Sequence, residues 1–336
     1  MARFASLLLV VCVLACAGPL PPASPASDAQ PAAGSGLSEP VRLWQDASIF
    51  ALVGGLIESA RRRVLVEVYE LGRANLVLSL RARRASGVDV RVITDPTVVA
   101  SRQSADLLDR LGVPERAYPV DDGRHQIDHV KLLIADGEAV VGGMNWGAHS
   151  DRNHDYVLET RVAIEVGRLA AIFEQDWALA GGRPAPLAPI PGQVAQTMPG
   201  EEIRIMLERA LAEARVRVLA EVYTLTDPAT IAGLAAAKRR GAHVKVLLDP
   251  NQPYNRHAYV LLKSGGVEVR WYSVPKGTLL HAKIGLFDGT LVLGSANWTL
   301  SGLGVNHELD IETADPEAVA AFATRFGGDW LRSAGG

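Results

Sequence analysis

His129-Val130-Lys131, followed by Asp136 and Gly142-Gly143-Met144-Asn145-Trp146, recurs as His281-Ala282-Lys283, Asp288 and Gly294-Ser295-Ala296-Asn297-Trp298. One such string would mean little, because His, Lys and Asp are common at surfaces. Two in register carry weight. The residue types suit cleavage of a phosphodiester, which needs a nucleophile, an acid for the leaving alkoxide and positive charge at the phosphoryl oxygens. Histidine titrates near neutral pH, so a pair can supply nucleophile and acid together. A lysine two positions along a strand shares the histidine's face, which sets ring and ammonium beside one phosphate. The amides of Asn145 and Asn297 and the hydroxyl of Ser295 add donors for the same oxygens. Two ammonium groups can do the electrostatic work of a metal, so neither metal nor cofactor is expected. No phosphate-cradling Gly-rich loop, dinucleotide fingerprint or zinc-binding spacing occurs.

The repeat is wider than the motif. Arg63–Tyr69 matches Arg217–Tyr223, Val88–Pro96 matches Ala242–Pro250, and Asn153–Thr160 matches Asn306–Thr313. Phe173 and Asp176-Trp177 match Phe326 and Asp329-Trp330, so one unit of about half the chain is duplicated. The double H-x-K-x4-D pattern resembles the signature of the phospholipase D superfamily, over roughly Leu43 to Leu331. That resemblance implies one phosphodiesterase site built from two halves. It implies His129 as the group attacking phosphorus and His281 as the acid, with Lys131 and Lys283 on the phosphate. It also implies that Asp155 and Glu308, at matched positions after the motif, accept Nδ1–H of a catalytic histidine and fix its tautomer.

Asp136 and Asp288 complete the catalytic signature in the family, yet here each precedes a Gly at a hairpin tip, far along the strand from the His-Lys end. Their position favours shaping the turn or pairing with nearby cations. In the first half Gly143 replaces the serine that Ser295 supplies in the second, so one hydroxyl donor is missing. His154 and His307 match each other and are candidates to line the cleft.

Elements that could position these residues alternate. Val64–Val68 and Val244–Leu248 are short β-branched-rich runs expected as buried strands. Helices are expected at Asn75–Ser86 and Thr230–Arg240, each followed by a Gly suited to a left-handed cap. His129–Ile134 and Ala139–Gly142 read as a hairpin joined at Asp136-Gly137, and Asp288-Gly289 repeats it. The expected fold is α/β: two pseudo-symmetric lobes, each a mixed β-sheet covered by helices, with the active site at their interface.

Residues 1–16 read as a signal peptide, with one basic residue before the apolar Leu7–Ala15 and a box, Val13-Leu14-Ala15-Cys16, of lipoprotein type. Cys16 is the expected lipidation site; cleavage further on, giving a soluble exported protein, is the alternative. Both cysteines lie in this leader, which leaves the body without a disulfide or a thiol nucleophile. Residues 17–40 read as a flexible tether and 181–200 as a Pro-rich linker between lobes at 41–180 and 201–333.

A net charge of -3 is a poor footprint for a protein that holds long nucleic acid. The basic clusters at Arg61–Arg63, Arg81–Arg84 and Lys238–Arg240 suit solvated helix ends. The reading is an exported phosphodiesterase that hydrolyses phospholipids or transfers phosphatidyl groups through a phosphohistidine, with a phospholipid and the membrane surface as partners. A metal-independent endonuclease is the second reading. A non-catalytic lipid- or phosphate-binding lipoprotein is a third, and the intact His and Lys pairs argue against it.

Overall fold

Short β-branched runs and amphipathic helices alternate along the chain. The computed structural model, which describes residues 40–183, 192–197 and 201–333, folds them into two matching lobes. The first contains β1 (Val41–Gln45), α1 (Ser48–Ser59), β2 (Arg63–Val68), α2 (Ala74–Ala85), β3 (Asp89–Thr94), α3 (Val99–Arg110), β4 (Glu115–Ala117), β5 (Lys131–Ala135), β6 (Glu138–Gly142), β7 (Tyr156–Thr160) and α4 (Ala163–Ala180). The second contains β8 (Val194–Gln196), α5 (Glu202–Glu213), β9 (Arg217–Val222), α6 (Pro228–Arg239), β10 (His243–Leu248), α7 (Asn255–Ser264), β11 (Glu268–Trp271), β12 (Lys283–Phe287), β13 (Thr290–Gly294), β14 (Leu309–Thr313) and α8 (Pro316–Arg332).

The sheets have the orders β1-β7-β6-β5-β2-β3-β4 and β11-β10-β9-β12-β13-β14-β8, which are equivalent when one is read backwards. In each sheet three strands run parallel, and the motif hairpin adds antiparallel strands beside the central one. The expected mixed α/β sheets are present.

Side-chain alternation decides what each sheet covers. On β2, Val64, Val66 and Val68 pack beneath α1 and α2, whereas Leu65 joins a second core on the opposite face. That second core is shared: Leu132, Ile134 and Leu158 of the first lobe pack with Ile284, Leu286 and Ile311 of the second. Phe173 of α4 and Phe322 and Phe326 of α8 complete it, so the lobes meet through their inner sheet faces. Each of these fully buried side chains contributes roughly 1.5–3 kcal/mol of transfer free energy, which makes the interface part of the fold.

The expected helices lie within one or two residues of their forecast ends, and Gly87 and Gly241 take φ of 89° and 104° where the chain leaves them. The hairpins differ in one respect. Their ladders start at Lys131 and Lys283, so the histidines sit just before the strands. The reason is cross-lobe pairing: His129 donates its N–H to the His307 carbonyl, and His281 to the His154 carbonyl, each at 2.8 Å.

Within the stretch read as a linker, Val194–Gln196 forms β8, which pairs with β14 as β1 pairs with β7. Proline content therefore does not make all of residues 181–200 linker. The leader, Cys16 and the tether up to residue 39 lie outside the described residues. Among the described residues, no helix is long and apolar enough to cross a membrane.

Candidate active site

Both histidines are delivered by short segments running into the first hairpin strand, and each segment is pinned from behind. Asp95, at the end of β3, accepts the Asp128 N–H at 2.6 Å, and Asp249, at the end of β10, accepts the Leu280 N–H at 2.6 Å. Parallel bridges Asp128–His307 and His154–Leu280 then stitch each segment to the other lobe.

The histidine-orienting contacts cross the interface. His129 Nδ1 lies 2.8 Å from Glu308 Oε2, and His281 Nδ1 lies 2.7 Å from Asp155 Oδ2. A carboxylate at that distance holds the proton on Nδ1 and leaves Nε2 for phosphorus or for a leaving oxygen. The structure sets both carboxylates expected as orienting groups against a histidine Nδ1. Which histidine each one serves emerges only from the fold.

Lys131 Nζ donates to the His129 carbonyl at 2.5 Å, and Lys283 Nζ donates to the His281 carbonyl and lies 3.2 Å from His281 Nε2. All four groups are buried, between 2% and 6% exposed. Burial pushes Lys131 down to about 7 and Lys283 down to about 8, while Glu308 and Asp155 pull both the other way. Burial also pushes His281 down to about 4, aided by the Lys283 charge and opposed by Asp155. His129 falls for the same first reason, with Glu308 opposing and both lysines adding to the drop. Each histidine therefore feels both lysines, as one shared site requires. Burial pushes Glu308 up, but His129, Lys131 and the Ser295 hydrogen bond outweigh it and leave that carboxyl below its usual range. The result is a buried set of cationic groups that hold their protons weakly and that a bound anion would recharge.

Asn145 and Asn297 follow β6 and β13, half-buried, and each has its Oδ1 buried without a hydrogen-bond donor. They stand at matched places and remain candidates to meet phosphate.

Two expectations change, those for Ser295 and for the His154 and His307 pair, and the family's catalytic role for Asp136 and Asp288 gives way to the turn role their position favoured. Ser295 does not present its hydroxyl to a phosphate: it is fully buried, donates to Glu308 Oε2 at 2.6 Å and accepts the Leu309 N–H at 3.0 Å. It supports an orienting carboxylate. In the first lobe a Cβ at Gly143 would collide with the Asp155 carboxylate, so the shorter acid and the glycine form one matched pair, as Glu308 and Ser295 form the other.

Asp136 and Asp288 are not brought to the site. Each sits at the hairpin tip with φ near 54° and accepts three backbone N–H groups, from Arg61, Arg62 and Arg63 and from Arg215, Val216 and Arg217 respectively, at 2.8–3.0 Å. An αL-tolerant residue whose carboxylate fits three converging donors explains Asp here without catalysis. His154 and His307, finally, turn their rings into buried acid clusters behind the site instead of lining it.

Three contributors went unassigned in the sequence, although they fall inside the repeat. The Tyr69 ring meets His129 edge-on at 4.8 Å, and Tyr223 packs against His281 at 4.7 Å. Each lies 5.1 Å beneath the ammonium of its lobe's lysine. Their recurrence beside Glu67 and Glu221 was the available signal. Asn306 is the other addition; its Nδ2 donates to Glu308 Oε1 at 3.1 Å.

Comparison with known proteins agrees with this geometry. The family described as "Cardiolipin synthase, PLD-like domain" matches residues 54–177 and again residues 207–330. The probable cardiolipin synthase YwiE of Bacillus subtilis is 26% identical over 61% of this chain and 46% of its own length. The human mitochondrial cardiolipin hydrolase is 30% identical over 44% of this chain and 58% of its own. The chain thus spans about half the length of the curated relatives it matches. Among solved structures, phosphatidylserine synthase from Haemophilus influenzae superposes with a TM-score of 0.69 at 12% identity, covering 87% of this chain and 86% of that one. Polyphosphate kinase from Porphyromonas gingivalis gives 0.63 at 18% identity, over 87% of this chain and 47% of that one. At those identities the two structures speak for the fold alone. With a complete His-Lys motif inside each matched range, the chain belongs to the phospholipase D-like family of cardiolipin synthase type.

Proposed function

We propose that the protein is a phosphodiesterase of phospholipase D type acting on phospholipids, by hydrolysis or by phosphatidyl transfer. The observation that carries this reading is the crossed pair of histidines, each held through Nδ1 by a carboxylate of the opposite lobe beside a buried lysine. His129 Nε2 attacks phosphorus in line while His281 gives its proton to the departing alkoxide. The P–O bond breaks and a phosphohistidine remains. His281 then takes a proton from water or from an acceptor alcohol, whose oxygen displaces His129. Lys131 and Lys283 neutralise the phosphoryl oxygens throughout.

The choice of lipid over nucleic acid is supported by the relatives named for cardiolipin chemistry and by a net charge of -3. Purified protein is to be assayed in parallel on vesicles of cardiolipin or phosphatidylglycerol and on DNA, in each case with His129→Ala and His281→Ala beside the wild type. Lipid turnover lost in both variants is expected, with labelled phosphoryl group trapped only while His129 is present. Cleavage of DNA without lipid turnover establishes the endonuclease reading instead. Added glycerol distinguishes transfer from hydrolysis by the product formed. We further propose that the protein is exported and anchored through Cys16.

A further inference from the structure

Behind each His-Lys pair lies a buried acid cluster, and the two clusters use equivalent positions but differ in their charge and donors. Behind the second lobe's pair, His154 of the first lobe has its Nδ1 2.6 Å from Asp46, while its Nε2 lies 2.8 Å from Glu221 on β9 and 3.4 Å from Asp329 on α8. Arg325 closes that cluster at 2.7 Å from Asp329 and 3.1 Å from Asp46, and the Tyr156 hydroxyl donates to Glu221 at 3.0 Å. Tyr272 stacks on the imidazole.

Behind the first lobe's pair, His307 of the second lobe has its Nε2 3.0 Å from Asp176 on α4 and 3.5 Å from Glu67 on β2, and Tyr118 stacks on its ring. Here the repeat puts Ile172 where Arg325 stands and Leu309 where Tyr156 stands. It also puts an additional acid, Asp128, where the second half has Leu280. One cation and one hydroxyl donor are therefore missing. Both carboxylate oxygens of Glu67, Asp128 Oδ2 and His307 Nδ1 are buried with no hydrogen-bond partner, in side chains no more than 1% exposed. Among the described residues His307 is the one cationic group facing these acids, and it leaves Glu67 Oε2 and Asp128 Oδ2 without a donor, so the cluster has a place for further positive charge.

We propose that Glu67, Asp176 and His307 hold a first-row divalent metal ion, zinc being the best match, which does in the first lobe what Arg325 does in the second. Their donor atoms all lie within 4.8 Å of one another. Tetrahedral coordination with bonds of about 2.0–2.2 Å separates ligand atoms by roughly 3.3–3.5 Å, close to the 3.0 and 3.5 Å found here. One imidazole with two carboxylates suits zinc or a neighbouring transition ion better than magnesium or calcium, which prefer oxygen alone. The ion staples β2 and α4 of one lobe to His307 of the other, next to Glu308. It takes no part in charging the phosphate, which Lys131 and Lys283 serve.

The test uses the full chain, purified without a histidine tag and stripped with chelator. Titration with cobalt(II) is expected to give the visible bands of a tetrahedral site at about one ion per chain, displaced by zinc. The Tm is expected to climb with the logarithm of zinc concentration. Glu67→Gln and Asp176→Asn should each weaken binding at least ~10-fold. Ile172→Arg, which restores the missing cation, should abolish the zinc dependence of Tm and leave lipid turnover intact. A folded wild-type chain that takes up neither ion overturns the proposal, as does binding undiminished in both Glu67→Gln and Asp176→Asn. The wild-type titration decides even if a variant does not fold. Lipid turnover is read separately, so its absence beside intact metal binding counts only against the proposed function.

Discussion

Asp155 of the first lobe accepts Nδ1–H of His281 in the second at 2.7 Å, and the relation is returned by Glu308 and His129 at 2.8 Å. Neither half of the duplication therefore holds a finished site. The acid of one lobe orients the base of the other, while the backbone pairs His281–His154 and His129–His307 lock that exchange in place.

This crossing separates the two carboxylates by the step each one affects. Asp155→Asn leaves His281 badly oriented and should slow turnover of a natural diester by ~10²–10⁴-fold, the usual worth of general acid catalysis. A substrate with an activated leaving group, such as a p-nitrophenyl ester, needs little acid, so its phosphohistidine burst should survive in that variant. Glu308→Gln should slow the burst itself. Equal losses on both substrates for both variants contradict the assignment of roles.

The weak hold of the buried site on its protons makes a second expectation. Burial holds His281 at about 4 and Lys131 and Lys283 at about 7 and 8, so near pH 7.5 the histidine and much of Lys131 have given up their protons. A bound oxyanion favours the charged forms and pulls protons back. Binding of tungstate or vanadate should therefore take up protons at pH 7.5, seen as calorimetric heats that differ between two buffers of unlike ionisation enthalpy. Affinity should fall as pH rises past 8, because each added unit makes reprotonation of the lysines costlier. Binding without net proton uptake refutes this account.

Much of this was legible in the sequence because the duplication repeats local spacing, and local spacing sets which residues share a strand or a turn. The His-Lys pairs, the Asp-Gly hairpins and the helices ending before Gly87 and Gly241 follow from such patterns. What stayed hidden depends on contacts between lobes. Strand β5 begins at Lys131 because the His129 N–H is spent on the other lobe, and no periodicity records that. Ser295 has the composition of a phosphate donor, yet burial against Glu308 gives its hydroxyl to the carboxylate. Val194–Gln196 sits among prolines and still forms an edge strand, because β14 offers it a free ladder.

Ser295 offers a clean discriminator. Acting through Glu308, its loss in Ser295→Ala should lower kcat by roughly tenfold, as removal of an outer-shell partner of an oriented histidine does, and should shift the pH profile. KM should stay nearly constant. A rise in KM with kcat unchanged would instead mark the hydroxyl as a phosphate ligand.

Asp136 and Asp288 should behave oppositely, as stability residues. Each carboxylate gathers three backbone N–H groups at the turn before a central strand. Because both are only partly shielded from water, Asp136→Ala and Asp288→Ala should each cost about 1–2 kcal/mol by denaturant unfolding. Their kcat should remain within a few-fold of wild type when assayed well below the midpoint. A thousandfold loss of kcat in a folded Asp288→Ala protein returns that residue to the catalytic machinery.

Location is the remaining expectation, and it rests on the Val13-Leu14-Ala15-Cys16 box with the Pro- and Ala-rich stretch that follows. Stable anchoring takes two acyl chains, which diacylation at Cys16 supplies, whereas a single chain binds membranes only reversibly. On this proposal, the Pro- and Ala-rich residues 17–40 would act as a tether that lets the folded lobes reach headgroups without being held rigidly against them. In a bacterial host the full-length protein should fractionate with membranes, and Cys16→Ser should release it or block its processing. Recovery of the wild type wholly in the soluble exported fraction, with a mature N-terminus beyond Cys16, removes the anchor and leaves the chemistry of His129 and His281 untouched.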